Sequence, residues 1–260
     1  MKILRPLFLG LAITAASATY AAGSLDLYQP HEYVYAQGDT LRYRLLEPES
    51  LEPGKSYPLV VFLHGAGERG SDNALQLTHG AQMWLNPVNR ERYPAYVLMP
   101  QCPSDAYWAY TARPEDFTPE RMPVDLEPAQ ITEAVIQLIS RLIEDKSVDA
   151  DRIYLMGLSM GGMATYDLAI RYPELFAAAV PICGTVNPSR LVAAAGVPFR
   201  IYHGDADPVV PVEGSREAYR ALRVAGADVD LIEFPGVGHG SWNPAFTDPA
   251  FFPWLFSQHK

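Results

Sequence analysis

The sequence predicts one α/β domain, with a mostly parallel, twisted β-sheet, helices on both faces and no large cap domain. Short apolar runs bounded by Gly or Pro alternate with segments of helical periodicity along most of the 260 residues. These runs are apolar throughout, which is typical of strands buried on both faces of a parallel sheet. No internal repeat or linker divides the chain.

The first 22 residues predict a secretory signal peptide ahead of a single domain, 23–260. A basic start with Lys2 and Arg5 precedes the apolar run Leu7–Ile13 and a stretch of small residues, which is the layout of such a signal. The run is too short for a permanent membrane span, and cleavage after residue 18 or 21 fits. The alternatives are an uncleaved anchor or a buried first strand. We expect an exported protein, periplasmic or extracellular, without stable membrane insertion after cleavage.

The elements follow in order along the rest of the chain. A Tyr-rich opening and the weakly alternating segment Leu41–Leu46 predict an antiparallel hairpin. Six apolar runs predict the core strands: Pro58–Leu63, Ala95–Met99, Arg152–Met156, Phe176–Ile182, Phe199–Tyr202 and Val229–Phe234. Three segments predict helices: Ala129–Glu144, Met160–Tyr172 and Glu213–Ala225. Only 101–127 is long, irregular and rich in Pro and aromatic residues.

The segment Gly157-Leu-Ser159-Met-Gly161 joins a predicted strand directly to a predicted helix. A sharp strand-to-helix turn forces its central residue into a strained conformation, and small neighbours leave room for it. Such a turn exposes a serine above the sheet edge. Ser159 is therefore the candidate nucleophile.

A serine nucleophile needs a base, and the base needs an acid that holds it in the right tautomer. His239 lies between glycines in the loop after the last strand, where its imidazole would be exposed. For the acid, Asp207 precedes a proline in the loop after the previous strand, while Asp205 is suited to bracing that turn. We favour Asp207 and keep Asp205 as the alternative. His64 and His203, which follow strands, are expected to pack beneath the site.

The oxyanion of an acyl-transfer intermediate needs backbone N–H donors. Met160, directly after the candidate nucleophile, is expected to supply one of them. The loop His64-Gly-Ala66-Gly-Glu-Arg69-Gly70 is expected to supply the other through Ala66. A glycine-rich loop can instead bind phosphate, but this one lacks the known phosphate-binding signatures.

Aromatic residues near these loops are candidates for the substrate pocket. Trp108 lies in the irregular segment, and Trp242 lies three residues after the candidate base. The alternative is that both rings cover the hydrophobic flank of the domain.

The composition of the chain excludes some classes of binding partner. The net charge is −10 and no Lys/Arg cluster is visible, which argues against nucleic acid and anionic membrane surfaces. The two cysteines, Cys102 and Cys183, could form a disulfide in an exported protein or remain as buried thiols. The oligomeric state stays open.

Together, the His64 loop, the Ser159 turn and the Asp207 and His239 loops resemble the α/β-hydrolases from about Pro58 onward. The chain is most similar to the lidless carboxylesterase, dienelactone-hydrolase and polyhydroxyalkanoate-depolymerase-like group. That resemblance implies acyl transfer by a Ser-His-Asp triad, with no metal or organic cofactor and a small-molecule or polymer-attached ester as substrate. Dienelactone hydrolases proper use Cys as the nucleophile, so Ser159 favours ordinary ester hydrolysis. The alternatives are a prolyl-oligopeptidase-like peptidase and a non-catalytic binding protein.

Overall fold

A computed structural model describes residues 24–35, 38–109, 114–125 and 127–260. The predicted signal peptide lies outside these residues. Within them one sheet has eight strands: β1 Gln29–Val34, β2 Thr40–Leu46, β3 Tyr57–Leu63, β4 Tyr96–Gln101, β5 Val148–Leu158, β6 Ala178–Ile182, β7 Phe199–Gly204 and β8 Val229–Phe234. The helices are α1 Ala81–Leu85, α2 Pro87–Arg92, α3 Gln130–Asp145, α4 Met160–Arg171, α5 Glu213–Val224, α6 Trp242–Ala245 and α7 Phe251–Ser257.

The strand order in the sheet is β1-β2-β4-β3-β5-β6-β7-β8. The β1–β2 hairpin is antiparallel and joins β4 antiparallel, and the other strands pair in parallel. The predicted hairpin and mostly parallel sheet are therefore confirmed. Because strands β5 to β8 run the same way, the loops that follow them meet at one edge of the sheet.

Both faces of the sheet are covered, as predicted. In β3, Leu59, Val61 and Leu63 belong to one hydrophobic cluster with residues of α3, α4 and α5, while Val60 and Phe62 belong to a second cluster with residues of α1 and α7. The individual helices on the second face were not predicted from the sequence. Helices α1, α2, α6 and α7 have four to seven residues, too few to display a helical period. No cap domain is present among the described residues.

Strand β5 is longer than predicted at both ends. It starts at Val148, which pairs with Tyr57 of β3, and after a shift in register it continues to Leu158. The strand therefore leads directly into Ser159, the residue before α4.

No helix in the described part of the chain has both the length and the apolar character needed to cross a membrane.

Candidate active site

Ser159 occupies a strained turn between β5 and α4. Its backbone angles are φ 53° and ψ −115°, a region that L-residues rarely adopt and that costs on the order of 1–3 kcal/mol. The turn is held by close backbone packing. A Cβ on Gly161 would collide with the carbonyl oxygen of Leu63 in β3, and a Cβ on Gly157 would collide with the carbonyl of Gly161. The two flanking glycines are therefore required by packing, and they present the Ser159 hydroxyl above the sheet.

The structure brings the three predicted triad residues together. His239 Nε2 lies 2.9 Å from Ser159 Oγ, and His239 Nδ1 lies 2.7 Å from Asp207 Oδ2. Because a carboxylate can only accept, Nδ1 carries the hydrogen and Nε2 is free to accept from the serine hydroxyl. This is the arrangement in which imidazole can take up a serine proton.

Asp207 accepts hydrogen bonds from other groups besides His239. Its Oδ1 accepts from the backbone N–H groups of Val209 and Val210, and His203 Nε2 lies 3.2 Å from its Oδ2. Burial acts to raise the pKa of this fully buried side chain, but the hydrogen bonds from His203, His239 and the two backbone groups outweigh it. The pKa of Asp207 lies well below its usual range, so the carboxylate stays charged beside His239.

Asp205, the alternative acid, bonds to the backbone of the loop that carries His239. Its Oδ1 accepts a 2.6 Å hydrogen bond from the backbone N–H of Gly236, three residues before the candidate base. Asp205 therefore braces the acid-bearing loop against the base-bearing loop, and Asp207 is the carboxylate that reaches the imidazole.

His64 and His203 are buried and hydrogen-bonded, as expected. His64 Nε2 accepts from the backbone N–H of Cys102, and its Nδ1 lies 2.6 Å from the carbonyl oxygen of Gly65. His203 Nδ1 lies 2.7 Å from Ser215 Oγ. These rings connect the β3 and β7 ends to neighbouring segments, and neither lines the cavity above Ser159.

His64 makes the stability of the fold depend on pH. Burial lowers the pKa of His64 from 6.5 to about 4. Between these values the unfolded chain binds a proton that the folded chain does not, so stability falls as pH drops. We expect this residue to cost the fold about 3 kcal/mol between pH 7 and pH 4.

Urea unfolding of the wild type and of His64→Gln at pH 7, 5.5 and 4.5 tests this expectation. The variant should be less stable at pH 7, yet lose less stability on acidification than the wild type. Equal losses in the two proteins would contradict it.

A cavity of about 220 Å³ opens above Ser159. Its described lining is mainly apolar and consists of Gly65, Ala66, Gly67, Glu68, His79, Tyr107, Pro114, Phe117, Leu158, Ser159, Met160, Met163, Val209, Val210, His239 and Trp242. Trp242, a predicted pocket residue, belongs to this set. Its ring meets the His239 ring edge-on at 5.6 Å between centroids.

Trp108, the other predicted pocket residue, does not line the cavity, so that prediction is wrong. The side chain is fully buried, its indole Nε1 donates to the carbonyl oxygen of His64, and its ring packs against the His64 ring. The neighbouring Tyr107 lines the cavity instead. Trp108 supports the loop after β3 from below and belongs to the core.

The two predicted oxyanion donors both border the cavity beside Ser159. Met160 is the first residue of α4, where backbone N–H groups have no partner within the helix. Ala66 begins a short 3₁₀ turn, Ala66–Glu68. Arg69 braces that turn, since its guanidinium donates to the carbonyls of Ala66, Ser104 and Ala106 and stacks on Tyr107. Their role as oxyanion donors stays a prediction.

The two cysteines are free and buried. Cys183 Sγ lies near Asp207 and His239, with the three potential metal-ligand atoms within 4.8 Å of one another. Burial raises the pKa of the Cys183 thiol to about 12. Metal binding needs a thiolate, and here it would also have to break the hydrogen bond between the other two residues. The hydrogen-bonded pair of Asp207 and His239 is therefore better suited to proton transfer than to holding a cation.

Sequence reasoning missed Glu68 and His79 in the cavity wall. Glu68 stands in a glycine-rich loop, where a charged residue is usually solvated, and His79 lies in a segment without a clear pattern. The sequence feature that could have placed Glu68 in the cavity wall is its position two residues after Ala66, the proposed oxyanion donor.

Comparison with known proteins agrees with this geometry. A family model described as phospholipase/carboxylesterase matches residues 52–252. A protein of Nocardia uniformis subsp. tsuyamanensis, provisionally named the esterase NocK, is 27% identical over 203 residues, which cover 76% of this chain and 52% of that protein. Feruloyl esterase B of Neurospora crassa is 26% identical over 199 residues, covering 74% of this chain and 58% of the fungal enzyme. This chain therefore spans little more than half of the length of either relative.

A solved structure described as a thermostable esterase is 38% identical in sequence to this chain. The two superpose with a TM-score of 0.83, covering 90% of this chain and 64% of the other.

Proposed function

Because this chain belongs to the phospholipase/carboxylesterase family of α/β-hydrolases, we propose that it hydrolyses carboxylic esters as a serine esterase. The observation that carries the proposal is the continuous hydrogen-bonded path from Ser159 through His239 to Asp207 at the floor of the cavity. A protein that only bound ligands would have no need of this path.

The geometry supports a two-step acyl transfer. His239 Nε2 takes the hydroxyl proton of Ser159 as the serine oxygen attacks the ester carbonyl. The backbone N–H groups of Ala66 and Met160 then stabilise the oxyanion. Asp207 holds the imidazole in position and supports its positive charge.

Collapse of this intermediate breaks the bond to the alcohol, which leaves with the proton from His239. Water enters, gives its proton to His239 and attacks the acyl-enzyme. The second collapse releases the carboxylic acid and returns the proton to Ser159. The overall reaction consumes one water and one ester, and it requires no redox partner.

The cavity supports an ester with an apolar acyl group. Tyr107, Phe117, Met160, Met163 and Val210 surround the space above Ser159 with hydrocarbon and aromatic surface. Such a lining binds an acyl chain or aryl ring by excluding water. One relative carries the name feruloyl esterase, which adds weight to an aryl or sugar ester as substrate here.

An active-site probe tests the proposal. A fluorophosphonate should label the wild type at one site, and the label should be absent from Ser159→Ala. Folded Ser159→Ala, checked by circular dichroism, is the control for non-specific labelling. A folded wild type that takes no label would overturn the proposed mechanism. A matched ester and anilide with the same acyl group then separate esterase from peptidase, and we expect the ester to be cleaved far faster.

We further propose that the protein is exported. The support is the N-terminal order of basic residues, apolar run and small residues. The mass of the protein recovered from periplasm or culture fluid should correspond to a chain that starts after residue 18 or 21. A full-length mass in the cytoplasm would contradict this proposal.

A further inference from the structure

One wall of the cavity carries polar side chains that the proposed acyl transfer does not use. Apart from the triad and the phenol of Tyr107, the titratable side chains among the described lining residues are Glu68 and His79. Glu68 Oε1 lies 3.6 Å from His79 Nε2. The two residues come from the loop after β3 and from the segment ahead of α1.

This polar wall is linked to the candidate base through one aromatic ring. The His239 ring meets the Trp242 ring at 5.6 Å between centroids, and the His79 ring lies 5.0 Å from the same Trp242 ring. In the proposed reaction His239 gives its proton to the leaving alcohol. The alcohol oxygen must therefore lie beside His239, and successive contacts through Trp242 and His79 connect His239 to Glu68.

Two buried polar atoms of this wall lack partners. Among the described residues, neither Glu68 Oε2 nor Trp242 Nε1 has a hydrogen-bond partner. Glu68 Oε2 packs against Gly65, since a Cβ built on that glycine would lie 3.1 Å away from it. A buried carboxylate oxygen without a donor is costly, and the bonding of such an atom is completed by an ordered water, an ion or a ligand. Here one unpartnered atom accepts hydrogen bonds and the other donates them.

A hydroxyl group satisfies both kinds of atom, because it donates one hydrogen bond and accepts others. An alkyl group satisfies neither, and an anionic group would be repelled by the Glu68 carboxylate. We propose that Glu68, together with His79 and Trp242, forms a subsite for hydroxyl groups on the alcohol portion of the ester. The inference rests on the proposed esterase activity and narrows its substrates to esters of polyols or sugars.

Two esters with the same acyl group and the same number of alcohol carbons test this subsite: propyl butyrate and 2,3-dihydroxypropyl butyrate. Wild-type kcat/KM should be at least tenfold higher for the dihydroxypropyl ester. Glu68→Leu should lower kcat/KM for that ester about 10- to 100-fold, as expected for a hydrogen bond to a charged group. The same variant should lower kcat/KM for propyl butyrate far less, so the ratio of the two kcat/KM values should fall. Glu68→Gln, which keeps the shape and one acceptor, should fall between Glu68→Leu and the wild type.

The matched control is Glu144→Gln on the exposed side of α3, which changes the net charge by the same amount away from the cavity. It should preserve the wild-type preference. Equal cleavage of the two esters by the wild type, or an equal loss on both esters in Glu68→Leu, would overturn the subsite. So would a wild type that reacts with fluorophosphonate but cleaves neither ester. Failure to react with fluorophosphonate would instead overturn the proposed function itself, so the two failures are distinguishable.

Discussion

Replacing Ser159 by Ala is expected to lower kcat by about 10⁵- to 10⁶-fold, the largest effect of any single change in this chain. The variant keeps the backbone turn but has no oxygen to attack the ester, so only the binding and oxyanion contributions remain. His239→Gln should cost nearly as much, since no other base lies within reach of Ser159 Oγ among the described residues. The double variant should be no worse than either single one, because the two residues act as a unit.

The measurement is kcat on p-nitrophenyl butyrate, with the fraction of active enzyme titrated by fluorophosphonate so that trace wild type is recognised. Ser140→Ala is the control, because that hydroxyl lies on the exposed face of α3 and donates to the carbonyl of Ile136. It should retain full activity. If Ser159→Ala retained more than one per cent of wild-type kcat, Ser159 would be excluded as the nucleophile.

Replacing Asp207 by Asn is expected to lower kcat by about 10³- to 10⁴-fold without unfolding the protein. The Asn side-chain oxygen can still accept from Val209 and Val210, so the loop is retained. Its NH₂ group, however, would donate towards His239 Nδ1 and favour the tautomer with hydrogen on Nε2. That tautomer cannot take the proton of Ser159.

Asp205→Asn is the matched control, because it makes the same chemical change two residues away. Its oxygen can still accept from the backbone of Gly236, so kcat should fall by less than about tenfold. The comparison needs only kcat at pH 7.5 and the unfolding midpoint of each variant. A larger loss in Asp205→Asn than in Asp207→Asn would reverse the assignment of the acid.

The fold was predictable where the sequence repeats a physical constraint over many residues. Strands such as Pro58–Leu63 are apolar at every position because both faces are covered, and α3 shows one apolar stripe. The short helices on the second face were not predictable, because α6 has only four residues and includes a proline. Sheet order also depends on long-range pairing, which no local pattern encodes.

The site was predictable where chemistry restricts the backbone as well as the side chain. Ser159 needs its flanking glycines, and the loops with Asp207 and His239 follow strands that end at the same edge. The cavity wall has no such restriction. Trp108 and Tyr107 are adjacent and both aromatic, yet one lies in the core and the other in the cavity. In an irregular segment, the side-chain direction is set by packing partners far away in the sequence.

The triad joins residues that are far apart along the chain: His239 lies 80 residues from Ser159 and 32 from Asp207. These contacts form only when β5 to β8 are paired in the correct register, because each triad loop follows one of these strands. Recovery of catalysis during refolding should therefore be a late event that follows the recovery of secondary structure. Catalytic activity thus serves as a kinetic reporter for completion of this half of the sheet.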